Sequence, residues 1–473
     1  MKSWQSWFRV PRVRRGLALG AVVLSCGGLV LYKAPAQARS AFSMTAAAGK
    51  NASSFSGPGV HGSIALSQAK VLAGQRQPVY AEIKLTADTT TPAKERAPIA
   101  MAVVLDTSGS MSGEKITEAR RAVLALLRDM RDDDEIAFVR YSSSSELVQP
   151  LARVGDVRAS LESRIQELRA DGGTNIASGL STGRAALGRA DSGRIKRIVL
   201  VSDGLDGSRA SSEALARSSF DSGITVSSLG VGLDFDESYM GSVATNGHGN
   251  FAFVKDGADM TAFLRKELVE TSSTTIEHAK VRVRIPAGAR FVRASGADAR
   301  VDGDEVELTF GALFSGDQRR ALVELDTRLD EGEARSITAT ATWDRIGGGA
   351  ERAQAKPILL VATRDAAEID RDRDGEVLAC VTSVLASQRQ LEAAQAWSAG
   401  DLKKADSLIQ QNLADLTTAR AAAPKAAADA LGRQAESYEE DKKAFAAPAT
   451  EAGRVRAKAA AQKDLGNMGR AGY

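Results

Sequence analysis

Between residues 99 and 254 the chain repeats one hydropathy unit: a short apolar run, followed by a longer stretch with apolar residues every three to four positions. The runs are 99–105 (Ile-Ala-Met-Ala-Val-Val-Leu), 135–141, 194–202, 224–230 and 250–254. Unbroken runs of this length suit strands covered on both faces. The helical spacing falls at 115–130, 156–169, 176–189, 211–222 and 236–245, and a last helix is expected over 260–270. Strands and amphipathic helices in alternation predict a mostly parallel, doubly wound α/β sheet with helices on both faces. The short segment 146–151, after a Ser-rich turn, fits an antiparallel edge strand.

On either side of this region the pattern changes. From 272 to 363 apolar positions alternate with period two, as in Val281-x-Val283-x-Ile285 and Val306-x-Leu308-x-Phe310, and Val301-Asp302-Gly303-Asp304 is a hairpin signal. This predicts a β-sandwich. Residues 59–95 carry two further strand-like stretches, 63–71 and 78–85. Two strands alone bury too little to stand by themselves, so they are expected to pair into the same sandwich, with the α/β domain (96–271) inserted in or beside it. Residues 364–446 turn Ala-rich with heptad-like spacing. A helix pair is expected over 377–399 and 402–419, with Gly400 ending the first helix, Asp401 capping the second, and Ala394, Trp397, Ala405, Leu408 and Ile409 along the seam. The Ala/Ser/Gly-rich stretch 39–58 reads as a linker, and 447–473 as a disordered tail.

Composition narrows the function classes. Net charge is +3 over 473 residues, with acidic and basic residues intermingled. That excludes the clustered basic face of a nucleic-acid binder, and six Tyr and four Trp offer no stacking platform. No Gly-x-x-x-x-Gly-Lys loop supports nucleotide use. The first 38 residues read as an export signal. Lys2, Arg9, Arg12, Arg14 and Arg15 precede an apolar run at 17–32, and Ala36-Gln37-Ala38 offers a cleavage site. Without cleavage this segment is a membrane anchor, and it is the only part expected to touch a membrane. Either way the protein is expected to be exported, to the periplasm or the cell surface. After cleavage Cys380 is the one remaining thiol, so no intrachain disulfide forms; it reads as a small buried hydrophobe on a helix.

The chemistry concentrates at the carboxyl ends of two apolar runs, where open α/β sheets bind ligands. Asp106-Thr107-Ser108-Gly109-Ser110 follows the first run, Val201-Ser202-Asp203-Gly204 ends the third, and Gly172-Gly173-Thr174-Asn175 lies between them. Asp106, Ser108, Ser110, Thr174 and Asp203 form an all-oxygen set of charged and neutral donors. Such a set suits a hard divalent cation, Mg2+ by default or else Mn2+ or Ca2+, and lacks the His and Cys of zinc sites. Asp370-Arg371-Asp372-Arg373-Asp374-Gly375 begins like a calcium loop, but Val381 stands where a bidentate Glu is needed, so it reads as a solvated helix start. His61, His248 and His278 lie in no hydrolase setting, and His248 reads as a loop residue.

The Asp-x-Ser-x-Ser string, the distant Thr and the distant Asp, with VVLDTSGSMSGEKI, DGGTNIASGL, RIVLVSDG and ITVSSLGVG around them, resemble the metal-ion-dependent adhesion site of von Willebrand factor type A domains over roughly residues 96–270. The resemblance implies that Ser108, Ser110 and Thr174 bind the metal directly when a partner is engaged. Asp106 and Asp203 then withdraw behind the direct ligands or bind through water, and one coordination position is left for an Asp or Glu carboxylate of another protein or surface polymer. The expected function is metal-dependent protein binding, in adhesion or scaffolding, without enzymatic turnover. Two alternatives are an assembly or chaperone-like subunit, and a metal-dependent hydrolase with Asp206 or Glu114 as the base.

Overall fold

The computed structural model describes residues 51–90, 96–191, 193–203, 206–233, 235–255, 257–448 and 450–469. The expected export signal lies outside them. No helix among the described residues is long and apolar enough to cross a membrane.

The α/β region is a six-stranded sheet in the order His248–Val254, Ile224–Val231, Ile195–Ser202, Ile99–Asp106, Glu135–Tyr141, Ser145–Arg153. All neighbours are parallel except the last, antiparallel pair at the edge. Every residue of Ile99–Asp106 is buried, because alternate side chains enter different layers. Met101, Val103 and Leu105 pack with the helices Glu114–Asp129, Val154–Gln166 and Gly257–Ser272. Ala102 and Val104 face Ile176–Leu187 and Glu237–Asn246 on the other side. Small residues bring the first of these close: a Cβ on Gly179 would lie 2.7 Å from the Tyr141 ring, and one on Gly183 2.7 Å from Val104.

Two mostly antiparallel sheets form the sandwich around one apolar core, the exception being the parallel pair Ile358–Thr363 with Lys70–Leu72. The strands Val60–Leu66 and Gln77–Ala87 precede the α/β region and pair with each other; Gln77–Ala87 also pairs with Gln318–Thr327, which follows it. The chain therefore leaves the sandwich after Ala87 and returns at Thr274–Arg284 directly beyond the helix Gly257–Ser272. The stretch 39–58 is no linker at its end. Ala52–Gly57 is an edge strand paired with Val60–Leu66, because Phe55 turns inward to 4 % exposure among otherwise small residues.

The carboxyl region has more helix than expected. Gly375–Ser398 and Leu402–Ala422 form the expected pair, with Gly400 at φ +85° between them and Asp401 accepting from the Lys404 amide at 3.0 Å. Lys425–Phe445 and Glu451–Gly469 add two more helices. The tail expected to be disordered is thus ordered through residue 469. Alanine is the strongest helix former, and here small residues pack where bulky ones would clash: a Cβ on Gly453 would lie 2.7 Å from Trp397. Lys458 joins this last helix to the α/β region, donating at 2.8 Å to both Phe235 O and Glu237 Oε2. Asp374 caps the helix Gly375–Ser398 at the expected solvated start, and in the same segment Asp372 is half-buried. It accepts from the amides of Ala69 and Lys70 at 2.6 and 2.9 Å and holds a strand edge. Cys380 is buried, and burial raises its thiol far above the usual range.

Candidate metal centre

The strand order reverses between Ile99–Asp106 and Ile195–Ser202, whose neighbours lie on opposite sides. At such a switch point the loops leaving the two carboxyl ends part and open a crevice. Asp106 and Asp203 stand at those ends, both fully buried.

Around them the side chains form one connected hydrogen-bonded chain. The Ser108 amide donates to Asp106 Oδ1 at 2.8 Å, and the Ser202 hydroxyl donates to Asp106 Oδ2 at 2.8 Å. The Ser108 and Ser110 hydroxyls are 3.0 Å apart, and Ser110 donates to Asp203 Oδ1 at 2.7 Å. The Lys115 ammonium binds Asp203 Oδ2. Ser108 is 1 % exposed, whereas Ser110 is exposed, so the carboxylates form the floor and a hydroxyl marks the mouth. Burial, opposed by hydrogen bonds from Ser108 and Ser202 and reinforced by the nearby Asp203 carboxylate, raises Asp106 above the usual carboxylate range.

Thr174 reaches this place through its loop. The Gly109 amide donates to Gly172 O at 3.0 Å, the Asp171 amide to Thr107 O at 2.8 Å, and the Gly173 amide to the Ser143 hydroxyl at 2.9 Å. These bonds fasten residues 171–173 beside the Asp106–Ser110 turn. Asn175 then caps the helix Ile176–Leu187 by accepting from the Ser178 amide at 3.0 Å. Thr174 is half-buried between these anchors. The structure thus joins Asp106, Ser108, Ser110 and Asp203 in one hydrogen-bonded cluster and docks the Thr174 loop against it.

Tested against a divalent cation, the donors fit. Among the described residues, two carboxylates with no exposure share the cluster with a single ammonium, and both oxygens of Asp106 accept only from neutral groups. A buried carboxylate without a cationic partner is costly; a hard cation among oxygens supplies one. No group of three or more His, Cys, Asp or Glu suited to a metal occurs among the described residues, so the hydroxyls are essential to any metal binding here.

Lys115 is the participant that sequence reasoning missed. The signal was present: a cation in the first turn of a helix opposes the helix dipole and needs a local reason. Asp206, by contrast, is fully engaged. It accepts from the Ile176 amide at 2.6 Å, the Ser208 hydroxyl and amide at 2.6 and 3.0 Å, and the Tyr239 hydroxyl at 3.0 Å. His248 opens the edge strand at φ +53° and stacks on Phe220 with centroids 3.8 Å apart; burial lowers it to about 4, so it is neutral at pH 7.

Comparison with known proteins agrees with the α/β fold. Residues 101–266 match the von Willebrand factor type A domain family. This segment is a von Willebrand factor type A domain. Over 206 residues the chain is 29 % identical to YfbK of Escherichia coli, covering 42 % of this chain and 36 % of that protein. Over 250 residues it is 26 % identical to sll0103 of Synechocystis, covering 50 % and 58 %. The match thus spans about a third to somewhat over half the length of these relatives, both described as uncharacterized. A solved von Willebrand factor type A structure from Catenulispora acidiphila aligns with TM-score 0.67 over 89 % of this chain and 98 % of its own, at 18 % identity. That likeness speaks to the fold, including the sandwich and the helical region. Von Willebrand factor type A domains generally mediate interactions between proteins, and they often bind a divalent cation.

Proposed function

We propose that this is an exported binding protein whose von Willebrand factor type A domain docks an Asp or Glu side chain of another protein or surface polymer on a divalent cation, Mg2+ by default. Asp106, Ser108, Ser110, Thr174 and Asp203 would hold the ion, which when bound supplies a Lewis-acidic position for the incoming carboxylate. The observation that carries this reading is the connected cluster of two buried carboxylates and two hydroxyls at the sheet's switch point, with Ser110 at its open mouth. The surrounding rim is small and polar: Ser112, Gly113, Ser143, Ser144, Gly172 and Gly173 are all exposed. A protruding acidic side chain can enter there without displacing bulky groups.

A binding role also accords with the state of Asp206. A general base must have an oxygen available to a substrate proton, and both oxygens of Asp206 already accept hydrogen bonds inside the fold. Calorimetric titration with Mn2+ and Mg2+, wild type against Asp106→Ala, tests the site. Saturable binding in the wild type that is lost in the variant is the expected result. Retention of an acidic envelope polypeptide on the immobilised protein should then require the metal and vanish with chelator; equal retention without metal would refute the docking mode.

A further inference from the structure

Lys115 stands where a cation is called for. Its ammonium pairs with Asp203 Oδ2, and Asp203 is also bound by the Ser110 hydroxyl. The aminobutyl stem is packed in place: a Cβ on Gly232, at the end of the next strand, would lie 3.2 Å from Lys115 Cε and 3.5 Å from Nζ. The side chain belongs to the second residue of the helix Glu114–Asp129, where a positive charge works against the helix dipole. The attraction of a fully buried carboxylate offsets that penalty.

We propose that Lys115 is the resident counter-cation of the metal centre, which a divalent ion must displace from Asp203, so that this lysine sets the site's affinity for metal. The inference rests on the metal-binding reading above. With Lys115 in place, the cluster's two carboxylates face one ammonium, and one negative charge is uncompensated. A divalent ion joining them without movement of Lys115 would turn that single negative charge into a single positive one, in a buried setting where like charges repel strongly. Lys115 therefore lowers the affinity of the empty site for metal.

The test is calorimetry with Mn2+ alone on the full chain, comparing wild type, Lys115→Met and Lys115→Arg, with the thermal stability of the metal-free proteins as a second readout. Lys115→Met keeps the stem and removes the charge; it should bind Mn2+ about tenfold more tightly while its metal-free form melts at a lower temperature. Lys115→Arg keeps the charge and should stay within about twofold of wild type, since a charged head on a similar stem preserves the competition. Equal affinity in wild type and Lys115→Met overturns the inference and leaves the metal site standing. Equal tightening in both variants also overturns it, because charge is then not the cause. Absence of Mn2+ binding in every form removes the inference and the metal site together.

Discussion

Two of the places where buried carboxylates gather among the described residues are built differently. In the helical region Asp464 accepts from the Tyr438 hydroxyl at 2.7 Å and the Ser387 hydroxyl at 2.9 Å. Asp441 accepts from Gln390 at 2.9 Å and Arg456 at 2.5 Å. Gln434, Asn412 and Asn467 add further donors. Here helices supply partners from all sides, and the network closes on itself. At the sheet's switch point, Asp106 and Asp203 are as deeply buried, but their chain of partners ends at the exposed Ser110. A closed network fixes helix register, whereas an open one leaves donors for a visitor. Burial of acids alone does not distinguish a site; where the hydrogen-bonded chain ends does.

The largest expected effect separates the two by metal. Asp203→Ala should weaken Mn2+ binding roughly a hundredfold or more, the scale on which even supporting groups of a metal site act. Asp441→Ala should leave the same titration unchanged. Loss of Mn2+ affinity in both variants would show that the helical network shapes the site from afar, and the comparison would break.

The next effect separates them by pH. Asp464 is pushed up to about 7, first by burial, against hydrogen bonds from Tyr438 and Ser387 that pull it down; Asp441 adds to the rise and Lys463 opposes it. The folded chain therefore holds this proton longer than the unfolded chain does. The stability contributed is fully present below about pH 4 and is lost as pH climbs to about 7. Asp464→Asn keeps an oxygen to accept both hydroxyls and removes the ionisation. Its stability above neutrality should exceed wild type by on the order of 3 kcal/mol, a gain that fades toward pH 4. Urea unfolding at a series of pH values reads this directly, and parallel curves for the two proteins would contradict it.

Third is the cost of breaking the closed network. Asp441→Ala leaves the Arg456 guanidinium and the Gln390 amide without their carboxylate. Arg456 is partly exposed, so solvent screens some of the loss, and about 2 kcal/mol of destabilisation is expected in urea unfolding.

These two regions were also unequally legible in the sequence. The run 99–105 became the strand Ile99–Asp106, and the helix expected over 115–130 runs Glu114–Asp129, because strong periodicity fixes such elements. Asp106, Ser108 and Ser110 were readable as a group since they lie within five residues at a strand's end. The helix Glu451–Gly469 was not readable. Its buried face is alanine, glycine, Lys458 and Asp464, and the partners that make that face buriable, such as Phe235 and Glu237, lie more than two hundred residues away. Ala52–Gly57 was hidden for the same reason: a single Phe among serines carries no periodic signal until its neighbour strand is known. Lys115 was overlooked because helical pattern reading gives no weight to charge in a first turn.

The smallest expected effect asks whether the open cluster depends on its loop. Gly172 has φ +75°, and a Cβ there would lie 3.2 Å from the Ser142 hydroxyl and 3.3 Å from that of Ser143. Its carbonyl accepts from the Gly109 amide, so the turn carrying Ser108 and Ser110 and the loop carrying Thr174 are coupled through this one residue. Gly172→Ala should cost about 1 kcal/mol of stability from the left-handed backbone. The small shift of the loop should also weaken Mn2+ binding by a few-fold, since hydroxyl ligands tolerate little displacement from a metal. Gly223→Ala is the matching control, with the same φ of +75° and no atom within 4 Å of the new Cβ. It should lose the same stability and none of the affinity. If both variants lost neither or both alike, Thr174 would contribute nothing that its loop has to hold in place.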